Sequence, residues 1–313
     1  MEFVKDFIWQ KGITVNEFVE RVGKIGFQSV ELLRAANVIV KMKKDKSTVF
    51  LTFTSNMVTS GLRGFFAQLI EMKIAHIIVT TVGSIEEDIM KAKGEKFLIG
   101  QFYSDDLALH EKGLNRVGNL HIDNQSYVKF EDMIEPMLNK VYEKQKVVTP
   151  SYLFREIGLM LNDKHSILYQ AAKNNVPIFC PAITDGAFGF HLFMFQQKHH
   201  DFIIDVVKDF SNILLSTSYD EKKGLIALGG SISKHHAILA SLLNGGLDYA
   251  IYITTAHSSS GSMSGATTQE AKSWGKIKDD ADAATVIGDA SILFPLAMIK
   301  ALEILTEEDI LNK

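Results

Sequence analysis

Short, nearly continuous apolar runs of four to nine residues recur along the chain. Strands that are buried on both faces of a parallel sheet have this pattern, because neither face needs polar side chains. We therefore predict a buried parallel sheet from six runs, at residues 49–55, 76–82, 176–184, 224–230, 249–255 and 284–287.

Helical periodicity follows most of these runs. Leu62, Phe65, Phe66, Leu69 and Ile70 recur at spacings that place them on one face of a helix. Strands that alternate with helices predict βαβ units with right-handed crossovers, and hence an α/β, doubly wound, mostly parallel sheet of about six strands with helices on both faces. Further helices are predicted at residues 84–93, 129–145, 151–162, 165–174, 202–215, 235–243 and 290–305.

The chain shows no internal boundary after its first segment. Only five prolines occur, and no Pro/Gly/Ser-rich linker divides the chain. The amphipathic stretch 14–43 is expected to pack outside the sheet. We therefore predict an N-terminal helical segment at 1–45 and a single α/β domain at 46–313.

Composition and charge argue against several classes of protein. A net charge of −4 gives no general attraction to nucleic acid or to an anionic membrane. The single cysteine, Cys180, excludes an internal disulfide and fits a reducing compartment. The first residues do not resemble a secretory signal, and no apolar run approaches the roughly 20 residues of a membrane span. A cytoplasmic protein without membrane contact is expected.

Small and polar residues follow every predicted strand, at the sheet edge where α/β proteins bind ligands. Helix N-termini there present free N–H groups to phosphate. Any one of these turns fits the ordinary need for turn formers and helix caps. Six such turns together favour a nucleotide-sized ligand, although no G-x-G-x-x-G fingerprint occurs. The six turns are Thr54-Ser55-Asn56, Thr81-Val82-Gly83, Thr184-Asp185-Gly186, Gly229-Gly230-Ser231, Thr254-Thr255-Ala256 and Gly288-Asp289-Ala290.

Two short motifs each have two interpretations. Ser84 followed by Glu87 fits a capping box at a helix start, but a carboxylate here could also meet a cationic substrate or a ribose hydroxyl. His235 and His236 follow a Gly-Gly-Ser turn, either with a structural role or with a side chain that reaches the ligand cleft. Since no further ligands occur at metal-site spacing, no metal is predicted.

The most unusual stretch is 256–283, a segment of mixed polarity between two buried strands. Long irregular loops inside compact domains are usually functional. Lys276 lies two residues after Trp274, and Gly275 gives the backbone freedom between them. A lysine partly withdrawn from water beside an aromatic ring can act as a nucleophile that forms imines. An exposed lysine next to an anchoring tryptophan is the structural alternative.

Several of these segments together resemble deoxyhypusine synthases. Residues 55–63 are similar to that family's segment SNLISSGLR, and residues 273–277 resemble the segment with its catalytic lysine. The similarity runs in unbroken order from about residue 10 to about residue 300. The other matching segments are residues 79–88, 113–120, 181–186, 228–236 and 289–291.

The resemblance implies a Rossmann-like NAD-binding catalytic domain at 46–313. It also implies transfer of the 4-aminobutyl group of spermidine to a lysine of translation initiation factor 5A, through an imine on Lys276. The family is a homotetramer with active sites at subunit interfaces. Matching positions imply cofactor contacts at Ser55, Asn56, Thr81, Gly83, Glu87, Asp185, Gly230, Thr255, Ala256, Asp289 and Ala290, and amine contacts at Glu86, Glu87, His235, Glu270 and Trp274.

Two departures from the family pattern concern the amine site. Phe190 stands where the family's Thr-Asp-Gly-x-x-Gly-Asp segment ends in a carboxylate, and Met263 lies in a segment that reads DGSDSG in the family. A buried ammonium without a counter-charge is costly. Three hypotheses are therefore kept: a deoxyhypusine synthase, a homospermidine synthase-like enzyme with another amine donor or a free amine acceptor, and a non-catalytic NAD-binding subunit that pairs with an active paralogue.

Overall fold

The computed structural model describes residues 2–311. In chain order the strands are β1 (Thr48–Phe53), β2 (Ile77–Thr80), β3 (Leu98–Ile99), β4 (Leu114–Val117), β5 (Leu120–Asp123), β6 (Val147–Val148), β7 (Ile178–Phe179), β8 (Ile203–Ile204), β9 (Lys223–Leu228), β10 (Leu247–Thr254) and β11 (Ile277–Ile287). The helices are α1 (Val15–Val22), α2 (Gln28–Lys44), α3 (Ser55–Thr59), α4 (Arg63–Glu71), α5 (Val82–Ala92), α6 (Asp106–Glu111), α7 (Asn124–Lys144), α8 (Pro150–Met160), α9 (Ile167–Lys173), α10 (Ala187–Lys198), α11 (Val206–Leu215), α12 (Ser231–Leu243), α13 (Thr268–Lys272) and α14 (Ala290–Glu307), with a 3₁₀ turn at Ser258–Ser260.

Six strands form one sheet in the order β11-β10-β9-β1-β2-β7, and these are the six predicted strands. Pairs β1–β9, β9–β10 and β10–β11 are parallel. All six residues of β9 are buried, as are five of the six in β1, so the continuous apolar runs have the environment that parallel strands require. The predicted α/β class with a mostly parallel sheet is confirmed.

The strand boundaries differ most at β7, where the predicted run 176–184 is a strand only at Ile178–Phe179, and at β11. The apolar run predicted only 284–287, but the strand begins at Ile277. Its first half contains four charged residues and faces solvent in part, so apolar character could not reveal it. The long segment between β10 and β11 is consequently shorter than predicted, and it contains the 3₁₀ turn and α13.

Several elements have no counterpart among the predictions. The sheet β3-β5-β4 is antiparallel, and β6 pairs with β8 in parallel. These strands have only two to four residues, which is too short for a periodic pattern. Helix α10 was also not predicted, because its sequence AFGFHLFMFQQK is apolar on nearly every side.

The chain separates into two compact units. Unit 1 contains the chain up to Phe53, Ile74–Val79 and the chain from Ile213 onward. Within it, α2 packs against β11 and α14, and α1 packs against α14, which places the predicted N-terminal helical segment outside the sheet. An ion pair of 3.1 Å between Glu20 and Lys300 joins α1 to α14.

Unit 2 contains Thr54–Lys73 and Thr80–Asn212. Its helices pack as the pairs α3–α5, α4–α9, α8–α9 and α5–α10. The prediction of one domain at 46–313 with a segment at 1–45 stays a prediction. Among residues 2–311, no helix has both the length and the apolar character needed to cross a membrane.

Candidate active site

Lys276 is brought into unit 1 by a tight turn after α13. Gly275 has φ +66°, a left-handed conformation that glycine adopts without strain, and the Lys276 N–H then donates to the Ala271 carbonyl. This turn buries Lys276, whose side chain is only 6% exposed, while Trp274 stays 66% exposed. The Lys276 Nζ lies 4.9 Å from the centroid of the Trp274 ring. Lys276 and Trp274 thus lie side by side as predicted: the lysine side chain is buried, and the tryptophan ring beside it is exposed.

A second buried lysine, Lys234, comes from the first turns of α12. Its Nζ donates to the carbonyls of Met263 and Ala266, at 2.9 and 3.0 Å, and lies 3.7 Å from the centroid of the Tyr252 ring. Burial outweighs the raising effect of Glu270 and, together with the smaller effect of the Lys276 charge, lowers the pKa of Lys234 to about 8. Lys234 therefore holds the loop before α13 in place.

These two lysines line one small cavity of about 20 Å³, which is room for about one water molecule. Its only carboxylate among the residues described here is that of Glu270, on the exposed rim of α13. The wall is otherwise apolar or aromatic. The full lining is Lys234, Ile238, Tyr252, Met263, Ala266, Glu270, Ala271, Trp274 and Lys276.

The two predicted histidines differ in their surroundings. His235 is half-buried, and burial together with the charge of Lys276 lowers its pKa, so this side chain lies within electrostatic reach of the cavity lysine. Burial and His235 lower the pKa of His236 to about 4. Both rings are therefore neutral at pH 7. Across residues 2–311, no cluster of three or more His, Cys, Asp or Glu side chains suits a metal ion.

Three of the predicted cofactor turns meet at the carboxyl edge of β9, β10 and β11. The register pairs Leu228 with Ile253 and Thr254 with Ile287, so these strands end side by side. The turns are joined by backbone hydrogen bonds, from Gly229 to Ile253 and from Gly288 to Thr254. The predicted residues brought together at this edge are Gly230, Thr255, Ala256, Asp289 and Ala290.

The loop between β10 and α13 connects this edge with the lysine cavity. Ser264 accepts from the Thr254 hydroxyl through its carbonyl and from the Ser231 N–H through its side chain, both at 3.1 Å. A Cβ on Gly230 would lie 2.3 Å from the Ser264 Cα, so glycine is required for this approach. The neighbouring Met263 belongs to the cavity lining.

Unit 2 carries the other predicted cofactor residues. The Ser55 N–H donates to the Thr81 hydroxyl at 3.0 Å, which ties the start of α3 to the start of α5. A Cβ on Gly83 would lie 2.8 Å from the Ser55 Cβ, so a larger residue would separate these two turns. Asn56 lies in the first turn of α3 and Asp185 in the bend before α10, both in the same unit, and both are exposed.

Glu86 and Glu87 are buried carboxylates on α5. Glu86 accepts from the Phe188 N–H at 2.9 Å, yet burial raises its pKa. Burial also raises the pKa of Glu87 to about 7, although both of its oxygens accept from the Thr59 hydroxyl, at 2.9 and 2.7 Å. The charges of both glutamates contribute, after burial, to raising the pKa of Tyr127 to about 12. Tyr127 thus lies close to this acidic pair.

The capping-box interpretation of Ser84 and Glu87 is wrong. Helix α5 begins at Val82, so Ser84 lies inside the helix and its hydroxyl bonds to that of Thr80 at 2.6 Å. The cap position is Thr81, which makes no side-chain capping bond. Glu87 is therefore available for a role other than capping.

The two departures from the family pattern lie in different units. Met263 lines the cavity in unit 1. Phe190 is exposed on α10 in unit 2, one turn away from the similarly exposed Phe193 and Met194. Neither position carries a carboxylate.

Three residues of these sites were not predicted. Lys234 falls on the buried face of α12 with Ala237, Ile238 and Ser241, and a lysine on an apolar helical face was an available signal. Tyr252 lies within a continuous apolar run, and Tyr127 precedes Phe130 by three residues on α7. Neither tyrosine could be distinguished from an ordinary core residue by its sequence.

Comparison with known proteins agrees with the resemblance in the sequence. The family model for deoxyhypusine synthase matches residues 17–301. A probable deoxyhypusine synthase of Schizosaccharomyces pombe is 42% identical over 302 residues, which cover 91% of this chain and 86% of that protein. The deoxyhypusine synthase of Neurospora crassa is 39% identical and covers 93% of this chain and 88% of its own length.

A solved structure gives the same result. The crystal structure of a proposed deoxyhypusine synthase from Entamoeba histolytica is 30% identical, with a TM-score of 0.70, and the match covers 96% of this chain and 97% of that chain. Both the fold and most of the sequence length are therefore shared with one group of transferases. This chain belongs to the deoxyhypusine synthase family.

Proposed function

We propose that this chain uses NAD to move the 4-aminobutyl group of spermidine to a lysine of translation initiation factor 5A, which is the first step of hypusine biosynthesis. The observation that carries the proposal is the buried Lys276 amine, 4.9 Å from the Trp274 ring centroid, in a cavity that contains a carboxylate. Membership of the family supports the same reaction. We expect the enzyme to act in the cytoplasm.

Lys276 acts as the covalent carrier in this proposal. Its Nζ forms a bond to the oxidised carbon of the donor, the bond from that carbon to its original nitrogen breaks, and the departing amine takes up a proton. The acceptor lysine then replaces Lys276 on the same carbon. Bound NAD would supply a reversible hydride acceptor for this exchange, so the overall transfer would be redox-neutral. Burial of Lys276 protects its imine from water.

The residues proposed to hold NAD suit a dinucleotide. Helices α3, α5 and α12 each begin at the carboxyl end of a strand. The Ser55 and Ser231 N–H groups are already bonded to the Thr81 and Ser264 hydroxyls, so the phosphate is assigned to the neighbouring N–H groups of these helix starts. We assign cofactor contacts to these turns and to the β10 and β11 ends. The assigned residues are Ser55, Asn56, Thr81, Gly83, Glu87, Asp185, Gly230, Thr255, Ala256, Asp289 and Ala290. Asp289 also caps α14 through the Ser291 N–H.

Amine recognition is assigned to carboxylates and an aromatic face. Carboxylates neutralise ammonium groups, and an indole offers a cation–π surface. The assigned residues are Glu86, Glu87, His235, Glu270 and Trp274. Glu87 would gain from a cationic ligand, because a positive charge beside a buried carboxylate offsets its loss of solvation.

A homotetramer is part of the proposal. Large apolar side chains of both units are exposed in the single chain, among them Trp9, Phe27 and Tyr103, which are 73, 99 and 95% exposed. Surfaces of this kind mark sites of association. The mass in solution, measured by light scattering, should equal four chains, and a monomer at micromolar concentration would refute this part.

The test is to trap the covalent intermediate. Protein is incubated with NAD and spermidine, reduced with borohydride and mapped by mass spectrometry. The adduct should lie on Lys276 and be absent from Lys276→Ala. Lys272→Ala is the matched control, because Lys272 lies four residues earlier and donates to the Asp279 carbonyl instead of lining the cavity. An adduct of normal yield on Lys276→Ala would refute the assigned nucleophile.

The second candidate is a homospermidine synthase-like transfer to a free amine. Met263 in the cavity and the exposed Phe190 depart from acidic positions of the family pattern, which weakens the first candidate and keeps this one open. The two candidates differ in the acceptor. Protein loaded with the aminobutyl group should transfer it to translation initiation factor 5A under the first, and to a diamine under the second.

A further inference from the structure

Phe27 has a backbone conformation that its residue type does not explain. Its φ is +53° and its ψ is −143°, a region that residues other than glycine rarely adopt, and Gly26 before it has φ +110°. Phe27 also occupies the N-cap of α2 without a side-chain capping bond, where Ser, Thr, Asp or Asn is preferred. Backbone strain of this kind persists only where the surrounding structure enforces it, and it is concentrated at functional sites.

The other residues with positive φ show how unusual this placement is. Six non-glycine residues in the range 2–311 have positive φ, and four of them directly follow the C-cap of a helix, where a left-handed residue is common. These four are Lys46, Lys73, Asn175 and Asp309. Phe27 and Ser231 lie instead at the start of a helix. Ser231 belongs to one of the turns assigned to NAD, so the residue that shares this placement lies in a proposed cofactor turn.

A hydrogen bond fixes Phe27 beside another of these turns. The Gln28 side chain accepts from the Ile287 N–H at 2.7 Å, and Ile287 is the last residue of β11, the edge strand of the main sheet. The turn Gly288-Asp289-Ala290 follows directly. Since consecutive Cα atoms are about 3.8 Å apart, the Phe27 backbone lies one residue step from this anchor. The strained turn is therefore held next to the cofactor turn that follows β11.

The side chains around this turn suit a flat, partly apolar ligand group. The Phe27 ring is 99% exposed, although contact between an aromatic ring and water is unfavourable. Ile287 and Ile292, which flank the cofactor turn along the chain, are 41% and 61% exposed. Asp289 accepts from the Ser291 N–H through one carboxylate oxygen, and its other oxygen has no hydrogen-bond partner in the described part of the chain. A nucleoside needs such a combination, because its base stacks on an aromatic ring and its ribose donates to a carboxylate.

We propose that the adenine base of NAD stacks on the Phe27 ring, and that the free oxygen of Asp289 accepts from a hydroxyl of the adjoining ribose. This inference rests on the proposed function, which assigns NAD to the same edge of the sheet. Stacking removes one face of the ring and one face of the base from water. The other face of the ring stays available for contact with a neighbouring chain.

The binding of cofactor fragments tests the stack without any chemistry. Phe27→Gly removes the ring and suits the positive φ, so the variant should stay folded with equal or higher thermal stability. NAD, ADP-ribose and nicotinamide mononucleotide are titrated calorimetrically into wild type and variant. The Kd of NAD and that of ADP-ribose should each rise about tenfold, as expected when one base–aromatic stack is lost. The Kd of nicotinamide mononucleotide, which has no adenine, should not change.

Two further variants separate the ring from other effects. Phe27→Trp keeps a stacking surface, so the Kd of ADP-ribose should stay within about threefold of the wild-type value. Phe3→Ala is the matched control, because Phe3 is a 93% exposed phenylalanine of the same unit that precedes α1 and has no assigned place at a cofactor turn. Its Kd values should equal those of wild type.

The possible failures can be told apart. An unchanged Kd of ADP-ribose in Phe27→Gly overturns the stack, and so does an equal loss of affinity for nicotinamide mononucleotide. A lower mass by light scattering with an unchanged Kd of ADP-ribose would assign Phe27 to chain association alone, which also overturns it. Normal loading of Lys276 in either case leaves the proposed function intact. If wild type binds neither NAD nor ADP-ribose, the proposed function fails and this inference fails with it.

Discussion

Each unit of the molecule contains several buried charged residues, and one pair from each unit can be compared. In unit 1 the pair is Lys234 and Lys276, and in unit 2 it is Glu87 and Asp88. Within each pair one member is fully bonded and the other is not. Lys234 donates to two carbonyls, whereas the Lys276 amine makes no hydrogen bond within residues 2–311 and lies 4.9 Å from the centroid of the Trp274 ring.

The two carboxylates of unit 2 also differ in how completely they are hydrogen-bonded. Asp88 accepts from the Arg63 guanidinium, the Ser166 hydroxyl and the N–H groups that begin α9. Within residues 2–311, the side chain of its neighbour Glu87 accepts a hydrogen bond only from Thr59. A buried charge with a full set of partners stabilises the fold, whereas one with few partners is free to meet a ligand. The comparison therefore separates structural charges from candidate functional ones, although they are adjacent in space or in sequence.

Removing the fully bonded carboxylate should have the largest effect on stability. Asp88→Ala leaves the Arg63 guanidinium, which is 9% exposed, paired only with Asp163, and it also removes the acceptor for the start of α9. Breaking such a buried pair costs about 3–5 kcal/mol. Chemical denaturation should show this loss, while Glu87→Gln should show none at pH 8. A similar loss in both variants would contradict the distinction between the two carboxylates.

The pH dependence of stability sharpens the same contrast. Burial raises the pKa of Glu87 from 4.5 to about 7, so the folded chain binds this proton more tightly than the unfolded chain does. The resulting stability is fully present below about pH 4.5 and is lost as the pH rises through about 7. A shift of this size corresponds to roughly 3 kcal/mol. Glu87→Gln should flatten this part of the profile in denaturation experiments between pH 4 and 8; a profile parallel to that of wild type would argue against it.

Replacing Lys234 should destabilise the fold more than replacing Lys276 does. The difference in unfolding free energy should be smaller than that between the two carboxylates. Lys234→Met leaves the carbonyls of Met263 and Ala266 buried without their donor, which should cost about 1–3 kcal/mol. Lys276→Met removes a buried amine that makes no hydrogen bond within the described chain, so it should be neutral or stabilising. Thermal unfolding of the two variants measures this difference. Equal destabilisation would show that both lysines serve the fold.

The sequence predicted the features that depend on neighbouring residues. Continuous apolar runs identified all six strands of the main sheet, because strands buried on both faces leave that pattern wherever they lie. The charged first half of β11 and the uniformly apolar α10 were missed, since neither shows a period of two or of 3.6 residues. For Lys276 and Trp274 the sequence left two interpretations open, and only the structure shows the lysine buried with the tryptophan exposed.

Distinctions that depend on distant partners could not be predicted. Lys234 is buried because its amine reaches carbonyls about 30 residues away along the chain. Asp88 and Glu87 are adjacent, but the partners of Asp88 lie 25 and about 80 residues away, and the partner of Glu87 lies 28 residues away. Sequence periodicity contains no information about these contacts. The separation of bonded from available charges therefore appears only in the folded chain.

The smallest expected effect concerns the single partner of Glu87. Thr59→Val keeps the shape of the side chain but removes the hydroxyl that donates to both carboxylate oxygens. Since that hydrogen bond lowers the pKa of Glu87, its loss should raise the pKa further, and stability should fall by only about 1 kcal/mol. Carbon-13 NMR of labelled glutamate would follow the titration. Ser60→Ala is the matched control, because the Ser60 hydroxyl donates to the Met57 carbonyl and not to Glu87. A midpoint that stays in place or moves down in Thr59→Val would mean that another group sets the protonation of Glu87.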